Sequence, residues 1–488
     1  MNVLLIRPPV IHKKGDFFGS IPGIPTGIAH LAAVVRHHGH TVRILDCYGE
    51  SPHRFYRLDS EYEARGMTPL QTAQSASSGW ADIVGLSIHC TTEQVIARHL
   101  ISEIRKRCGD IPLVVGGYHA TFLPEAFIEM GADYVVLGAG EKRLPGLLHS
   151  LSSHSEISPD GIATTSEMFP RTTFLDGLDG YPLPDVELLP LDNYWKLGYG
   201  HGPVRGKYMN MLTSRGCPFK CGFCQAPLMS GGKWLARSPD DVMRELRYYH
   251  EQLGISDFHI QDENFALNRK RTLDLCNAII SYDADLTFCL PSGVNAMTLS
   301  PEIVDVMARA GFRYLSVSPE SGSPRVLDLM RKRMDLDTVT EAVGMCRRNG
   351  IRTNACFMLG YPGETADDRR MTMRYVRRLA RAGVDEIIVP IMTPFPHTPS
   401  MDSFQERRPE ELCFSPTWRS DYKALSRFRF RLYISFLLQR IGSFPLSILR
   451  QIRNVSTGNH ETKGEMTVTR IVRDTKDRIW SSIRNHRY

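Results

Sequence analysis

Along most of the chain, short apolar runs alternate with stretches of helical period. Residues 3–6, 42–45, 83–88, 113–115 and 134–137 are apolar runs of the kind that buried parallel strands carry. Between them, residues 27–36 place Ile28, Leu31, Ala32 and Val35 at helical spacing, and residues 95–107 and 124–130 also read as helices. Strands alternating with helices predict an α/β fold, with a doubly wound parallel sheet over residues 1–150 and ligands at the carboxyl ends of its strands. Residues 151–208 lose the period. Ser152-Ser153-His154-Ser155 and Ser158-Pro159-Asp160-Gly161 are turn-rich, and Pro182 and Pro184 favour an extended connector. A second alternation spans residues 209–405. It has strand-like runs at 258–260, 314–317, 354–359 and 387–389, and helical ones at 241–252, 270–280, 303–310, 336–348 and 369–382. That order predicts a partial (β/α) barrel, with chemistry at the carboxyl ends of its strands. Residues 406–488 predict a helical tail, polar and partly disordered beyond residue 454.

Composition narrows the class. With 42% hydrophobic and 23% charged residues the chain is a folded protein, and 488 residues suggest two or three domains. A net charge of +6, with no long basic block before residue 400, gives little support to nucleic-acid binding. The N-terminus enters a strand-like run without the pattern of a signal peptide, and no apolar run reaches the ~20 residues needed to cross a bilayer. A cytoplasmic protein is expected, in which 11 cysteines serve as ligands or reduced thiols before disulfides.

A dinucleotide site would place G-x-G-x-x-G after the first strand, where this chain has Arg7-Pro8-Pro9-Val10. Its glycines come later, at Gly116-Gly117 and at Gly138 and Gly140, where they let a bulky ligand approach the backbone. Sharper chemistry lies at Cys217, Cys221 and Cys224, spaced C-x3-C-x2-C on one loop. Three thiolates so spaced can hold three irons of a [4Fe–4S] cubane and leave the fourth open to S-adenosylmethionine (SAM). Zinc would want a fourth ligand nearby, and no Cys or His supplies one. Cys276, Cys289, Cys346, Cys356 and Cys413 form no close pairs, which argues against a second cluster and reads as buried small hydrophobes.

Taken together, residues 1 to about 400 resemble the radical SAM enzymes that carry a B12-binding domain. Ser87-Ile88-His89, followed after residues 90–115 by Gly116-Gly117, resembles that family's Ser-x-Leu and Gly-Gly pair, with His89 in place of leucine. The resemblance assigns Ser87, Gly116, Gly117 and Gly138 to cobalamin. The family's Asp-x-His-x-x-Gly is absent, so no lower cobalt ligand is named, and His12 in that loop reads as a solvated histidine. In the barrel the resemblance puts Phe223 beside the adenine, Glu263 of Gln261-Asp262-Glu263-Asn264 on the methionine amino group, Ser318 and Glu320 on the ribose and carboxylate, and Gly360 in the turn passing the adenine. Near the barrel's end, Thr393–Pro399 has His397 where the family often has glycine, which bears on substrate access. The implied cofactors are a [4Fe–4S] cluster, SAM and cobalamin.

The implied activity is transfer of a methyl group from SAM via methylcobalamin to an unreactive carbon or phosphorus of a small molecule. An electron donor such as flavodoxin or ferredoxin is the implied partner. Two alternatives stand beside it: a cyclase, oxidoreductase or rrearrangement enzyme with the same cofactors, and a non-catalytic cobalamin-binding or sensing protein, against which the intact cysteine triad argues. The extra N-terminal cysteines of methylthiotransferases are absent. In the tail, Arg427-Phe428-Arg429-Phe430-Arg431 leads into the apolar residues 432–438. That run suits either a basic amphipathic helix touching a membrane or a helix packed on the barrel with arginines on its wet face.

Overall fold

The computed structural model describes residues 1–14, 23–158, 160–166, 177–404 and 416–485, so Pro159 and Cys413 lie outside it. In chain order the N-terminal strands are β1 (Asn2–Arg7), β2 (Val10–Lys13), β3 (Thr41–Asp46), β4 (Phe55–Arg57), β5 (Tyr62–Arg65), β6 (Ile83–Ser87), β7 (Leu113–Gly116), β8 (Tyr134–Val136) and β9 (Ile162–Ala163). Six of them form a sheet in the order β3-β1-β6-β7-β8-β9, parallel except for the edge strand β9. The order reverses around β1, as in doubly wound sheets, because right-handed crossovers place helices on both faces. Helix Thr26–His37 buries Ile28, Ala29 and Val35 against one face, and helix Glu93–Cys108 buries Ile96, Leu100 and Ile104 against the other.

An antiparallel sheet, order β2-β5-β4, branches from this domain and has no counterpart in the sequence reading. Its strands are short and lack a long apolar run. Asp59 turns β4 into β5 by accepting bonds from the Glu61 and Tyr62 amides, both at 2.7 Å. His12 is therefore not a solvated loop residue. It sits in β2 opposite Glu63, and burial beside Arg65, Arg470 and Arg478 holds its imidazole down at about 3.

The second sheet runs β10 (Tyr208–Met211), β13 (Asp257–Ile260), β14 (Thr287–Val294), β15 (Phe312–Glu320), β16 (Arg352–Phe357) and β17 (Glu386–Ile388), all parallel and open between the first and last. A two-stranded ribbon, β11 (Ser214–Arg215) with β12 (Leu235–Ala236), stands at its edge. Strand β14 escaped the sequence reading because Pro291 lies in it. The ladder shifts register between Leu290 and Val294, so the missing proline N–H falls where pairing is already interrupted. Outward residues such as Phe258, Phe288 and Phe312 stack under the surrounding helices, with centroids 5.4 and 5.1 Å apart.

The C-terminal region forms helices Tyr422–Ser443, Pro445–Thr457 and Lys463–Asn485. The last replaces the partial disorder expected beyond residue 454. Its acidic residues find partners far away in sequence: Asp474 accepts from Arg65 Nη1 at 2.8 Å, and Asp477 lies 2.9 Å from His53 Nδ1. Only the folded chain brings them together. No single helix among the described residues is long and apolar enough to cross a membrane.

Candidate active site

Ser87 ends β6 and Gly116 ends β7, and the two stand opposite each other in register. The Ser-Ile-His and Gly-Gly segments are thus one feature: Ile88 donates to Gly116 O at 2.8 Å, and His119 N donates to Ile88 O at 3.2 Å. Gly117 has φ +108°, and a Cβ there would lie 2.5 Å from Ile88 O, so only glycine fits. Gly138, φ +70°, follows β8 and donates its amide to Thr121 Oγ1 at 2.9 Å. Ser87, Gly116, Gly117 and Gly138 all keep accessible surface, and none raises a large side chain over the strand ends. This low crest fits a bulky planar cofactor with an extended tail. His89, in place of the family's leucine, is exposed, its ring 5.9 Å from Tyr118.

The cysteine loop leaves the β11–β12 ribbon. Gly216, φ +86°, opens it where a Cβ would meet Lys233 O at 2.3 Å. Buried Asp262, after β13, accepts from Thr213 N at 2.7 Å, Thr213 Oγ1 at 2.6 Å and Ser214 Oγ at 2.6 Å. Next to it Glu263 accepts the Gly216 amide at 3.1 Å, and burial raises its carboxyl above the usual range. The two carboxylates therefore brace the start of the loop. Farther along, Gly222 N donates to Met330 O at 2.8 Å, and Cys224 N to Cys221 O at 3.2 Å. Cys217, Cys221 and Cys224 are half-buried free thiols near enough to perturb one another, and burial pushes Cys224 up to about 11. Among the described residues no three His, Cys, Asp or Glu groups converge on a single metal ion.

Phe223 packs edge-on to Tyr361, centroids 6.5 Å apart, and Lys332 Nζ stands 5.8 Å from its ring centre. The same ammonium donates to Glu320 Oε1 at 2.9 Å and lies close enough to favour the thiolate form of all three cysteines. Lys332 escaped the sequence reading because Arg331-Lys332-Arg333 resembles a solvated basic run. Glu320 has φ +62°, a strained conformation for a non-glycine, at the register shift that follows Val317. Ser318, partly exposed, lies two residues earlier on β15. Gly360 has φ +76°, and a Cβ there would lie 2.5 Å from Leu425 and 2.8 Å from Arg419, so the glycine admits the C-terminal region.

Polar residues also line the barrel's mouth and interior. His201 Nδ1 lies 2.6 Å from Gln261 Oε1, which accepts Ser292 Oγ at 3.2 Å, while Gln261 Nε2 donates to Asn210 Oδ1 at 3.1 Å. Lys463 enters from the C-terminal helices. It is buried, donates to Pro291 O at 2.7 Å, and has its pKa lowered by desolvation. Buried Asn354 leaves its Oδ1 without a partner. Lys463 carried no local signal, since it lies far along a polar tail from the cysteine loop.

The two crests face each other. Tyr118, just beyond Gly117, has its phenol raised by burial and by the nearby Cys224, Glu263 and Cys217. Arg215 pairs with Glu141 at 2.6 Å, and Asn210 Nδ2 donates to Ile24 O at 2.8 Å. His397, φ +60°, lies 2.7 Å through Nε2 from Phe122 O. Where the family often has glycine, this chain thus uses a left-handed histidine to tie barrel to sheet.

Residues 22–148 match the B12 binding domain and residues 211–376 the radical SAM superfamily. The chain belongs to the cobalamin-dependent radical SAM family. It is an enzyme of that family, and its cofactors are a [4Fe–4S] cluster, SAM and cobalamin. An uncharacterized methyltransferase of Pyrococcus horikoshii is 29% identical over 408 residues, 82% of each chain. The cytidylyl-2-hydroxyethylphosphonate methyltransferase of Streptomyces wedmorensis is 25% identical, covering 77% of this chain and 76% of its own. In fold the chain is similar to the radical SAM methyltransferase TsrM of Kitasatospora setae, solved with tryptophan and a SAM analogue (TM-score 0.66, 22% identity, 82% of this chain and 75% of that one).

Proposed function

We propose that this enzyme moves a methyl group from SAM, by way of cobalamin, to an unreactive carbon or phosphorus of a small-molecule substrate. The observation that carries the reading is that Tyr118, next to Gly117 at the end of the sheet, lies close to Cys217, Cys224 and Glu263 at the cysteine loop. A corrinoid above the sheet end and SAM above the loop can then reach the same substrate atom. The methyltransferase names of both relatives support it.

In this reading Cys217, Cys221 and Cys224 hold three irons, and Asp262 positions their loop. Glu263, Ser318 and Glu320 hold the polar groups of SAM, with Phe223 against its adenine, while Ser87, Gly116, Gly117 and Gly138 bed the tail of the cobalamin. Lys332 holds Glu320 in place and adds positive charge beside the thiolates. Gln261, Ser292 and Lys463 face the substrate. When bound, the cluster supplies the electron for reductive SAM cleavage, and the cobalamin carries the methyl group. The electron comes from a flavodoxin or ferredoxin. The residue assignments, like the boundaries 1–150, 151–208, 209–405 and 406–488 for sheet domain, connector, barrel and tail, are part of this proposal.

The test is anaerobic turnover of the reconstituted holoenzyme with methyl-deuterated SAM and a small-molecule extract, followed by mass spectrometry. A product carrying one labelled methyl group is expected. Products that have only lost hydrogens, with SAM cleaved, would replace methyl transfer by cyclisation or oxidation.

A further inference from the structure

Among the described residues, exposed large hydrophobic side chains are concentrated at one end of the chain: 13 of 19 lie between Phe430 and Trp480. Helix Tyr422–Ser443 has two apolar stripes. Leu425, Leu432 and Phe436 pack inward with Arg440. On the opposite side Phe430, Ile434, Leu437, Leu438 and Ile441 recur at helical spacing, and Phe430 and Leu438 are 67% and 65% exposed. A helix apolar on both sides has a second surface to cover.

The next helix, Pro445–Thr457, is bent 112° from the first and is inside out. Its buried residues are polar. Ser447 accepts from Arg440 at 2.7 Å, and Asn454 donates to Glu465 at 3.2 Å. Leu446, Leu449 and Ile452 point outward, each more than 60% exposed. These inner bonds fix its rotation, so the outward apolar row is built into the fold.

Charge identifies the occupant. Residues 422–457 contain seven lysines and arginines and no aspartate or glutamate. Lys423, Arg427, Arg431, Arg450 and Arg453 are exposed on the same two helices, where long cationic side chains can reach past an apolar stripe. Two copies of a surface with this charge would repel. An anionic bilayer offers both an apolar layer and negative headgroups. Arg440, buried beside Asp385 of the barrel, ties the elbow to the enzyme, so the helices lie in the interface and do not span it.

We propose that helices Tyr422–Ser443 and Pro445–Thr457 form a lipid-binding face that seats this enzyme on an anionic membrane surface. The proposal rests on these helices alone and stands whichever reaction the site performs. The experiment is co-sedimentation of the reconstituted holoenzyme with phosphatidylcholine vesicles, with and without phosphatidylglycerol, at low and high salt. Light scattering without lipid accompanies it. The enzyme is expected to sediment with the anionic vesicles, and high salt to weaken the association. Leu438→Glu with Leu449→Glu, on the exposed row, is expected to lower the bound fraction about tenfold while SAM cleavage persists, showing an intact fold. Absence of binding to anionic vesicles overturns the proposal. So does a lipid-free dimer that the double variant dissociates, which would make a second copy the occupant.

Discussion

Replacing His397 separates two effects that act at one residue. Its backbone is left-handed, φ +60°, and its Nε2 bonds to Phe122 O at 2.7 Å. A side chain in that conformation costs about 1 kcal/mol or more, and a hydrogen bond of this kind returns a net of about 1 kcal/mol. His397→Ala loses the bond and keeps the strain, so a loss of about 1 kcal/mol is expected. His397→Gly loses the bond but sheds the strain, against the roughly 0.5–1 kcal/mol that glycine's unfolded-state freedom costs. The glycine variant should then be the more stable of the two by about 0.5 kcal/mol, the reverse of the usual order of alanine and glycine. Urea unfolding of the two apoproteins, compared at the transition that moves, measures it. Both variants lose the tie to the sheet domain, so both should be cut faster by chymotrypsin at Tyr118 or Phe122. An alanine variant as stable as the glycine one would refute the strain argument. Unchanged proteolysis would refute the tie.

Single replacements Cys217→Ala, Cys221→Ala and Cys224→Ala are each expected to abolish the iron–sulfur absorbance and SAM cleavage while corrinoid is retained. Retention of a full cluster in any of them would remove that cysteine from the ligand set. Gly117→Ala puts a Cβ 2.5 Å from Ile88 O at φ +108°, so corrinoid retention after desalting should fall at least tenfold while the cluster spectrum persists. Equal retention would place the cobalamin elsewhere. Burial lowers His119 to about 4 in the fold, against about 6.5 unfolded. The unfolded chain therefore binds the extra proton between those values, and stability falls as pH drops through 6.5. From pH 7.5 to 5.5 the wild type should lose about 1 kcal/mol more than His119→Gln in urea unfolding. Parallel losses in the two proteins would contradict it.

Local features were legible before any fold was known. Cys217, Cys221 and Cys224 are neighbours in the chain, so their spacing alone points to a cluster site. The strand-then-glycine pattern at Gly116-Gly117 was legible for a similar reason: close backbone approach admits only glycine, and the strand before it is an apolar run. At Gly360 only the fold shows that a Cβ would meet Leu425 and Arg419 of the C-terminal region. Strand β14 was hidden by Pro291, which a bulge accommodates, and the β2-β5-β4 sheet by strands too short to show a period. Lys332 and Lys463 carry no local signal in the sequence. Only the fold brings one to Glu320 and the cysteines and the other into the barrel, across separations no local pattern encodes. The sign of the helix at 445–457 was decided the same way. Its sequence is amphipathic in either orientation, and the bonds of Ser447 to Arg440 and Asn454 to Glu465 turn its polar side inward. By itself, then, the sequence determined the cofactor chemistry and the layered α/β plan, because both depend on neighbours in the chain. The tertiary structure decided which charges meet, which histidines are buried and which apolar face is left outward, because those depend on contacts between residues far apart in it.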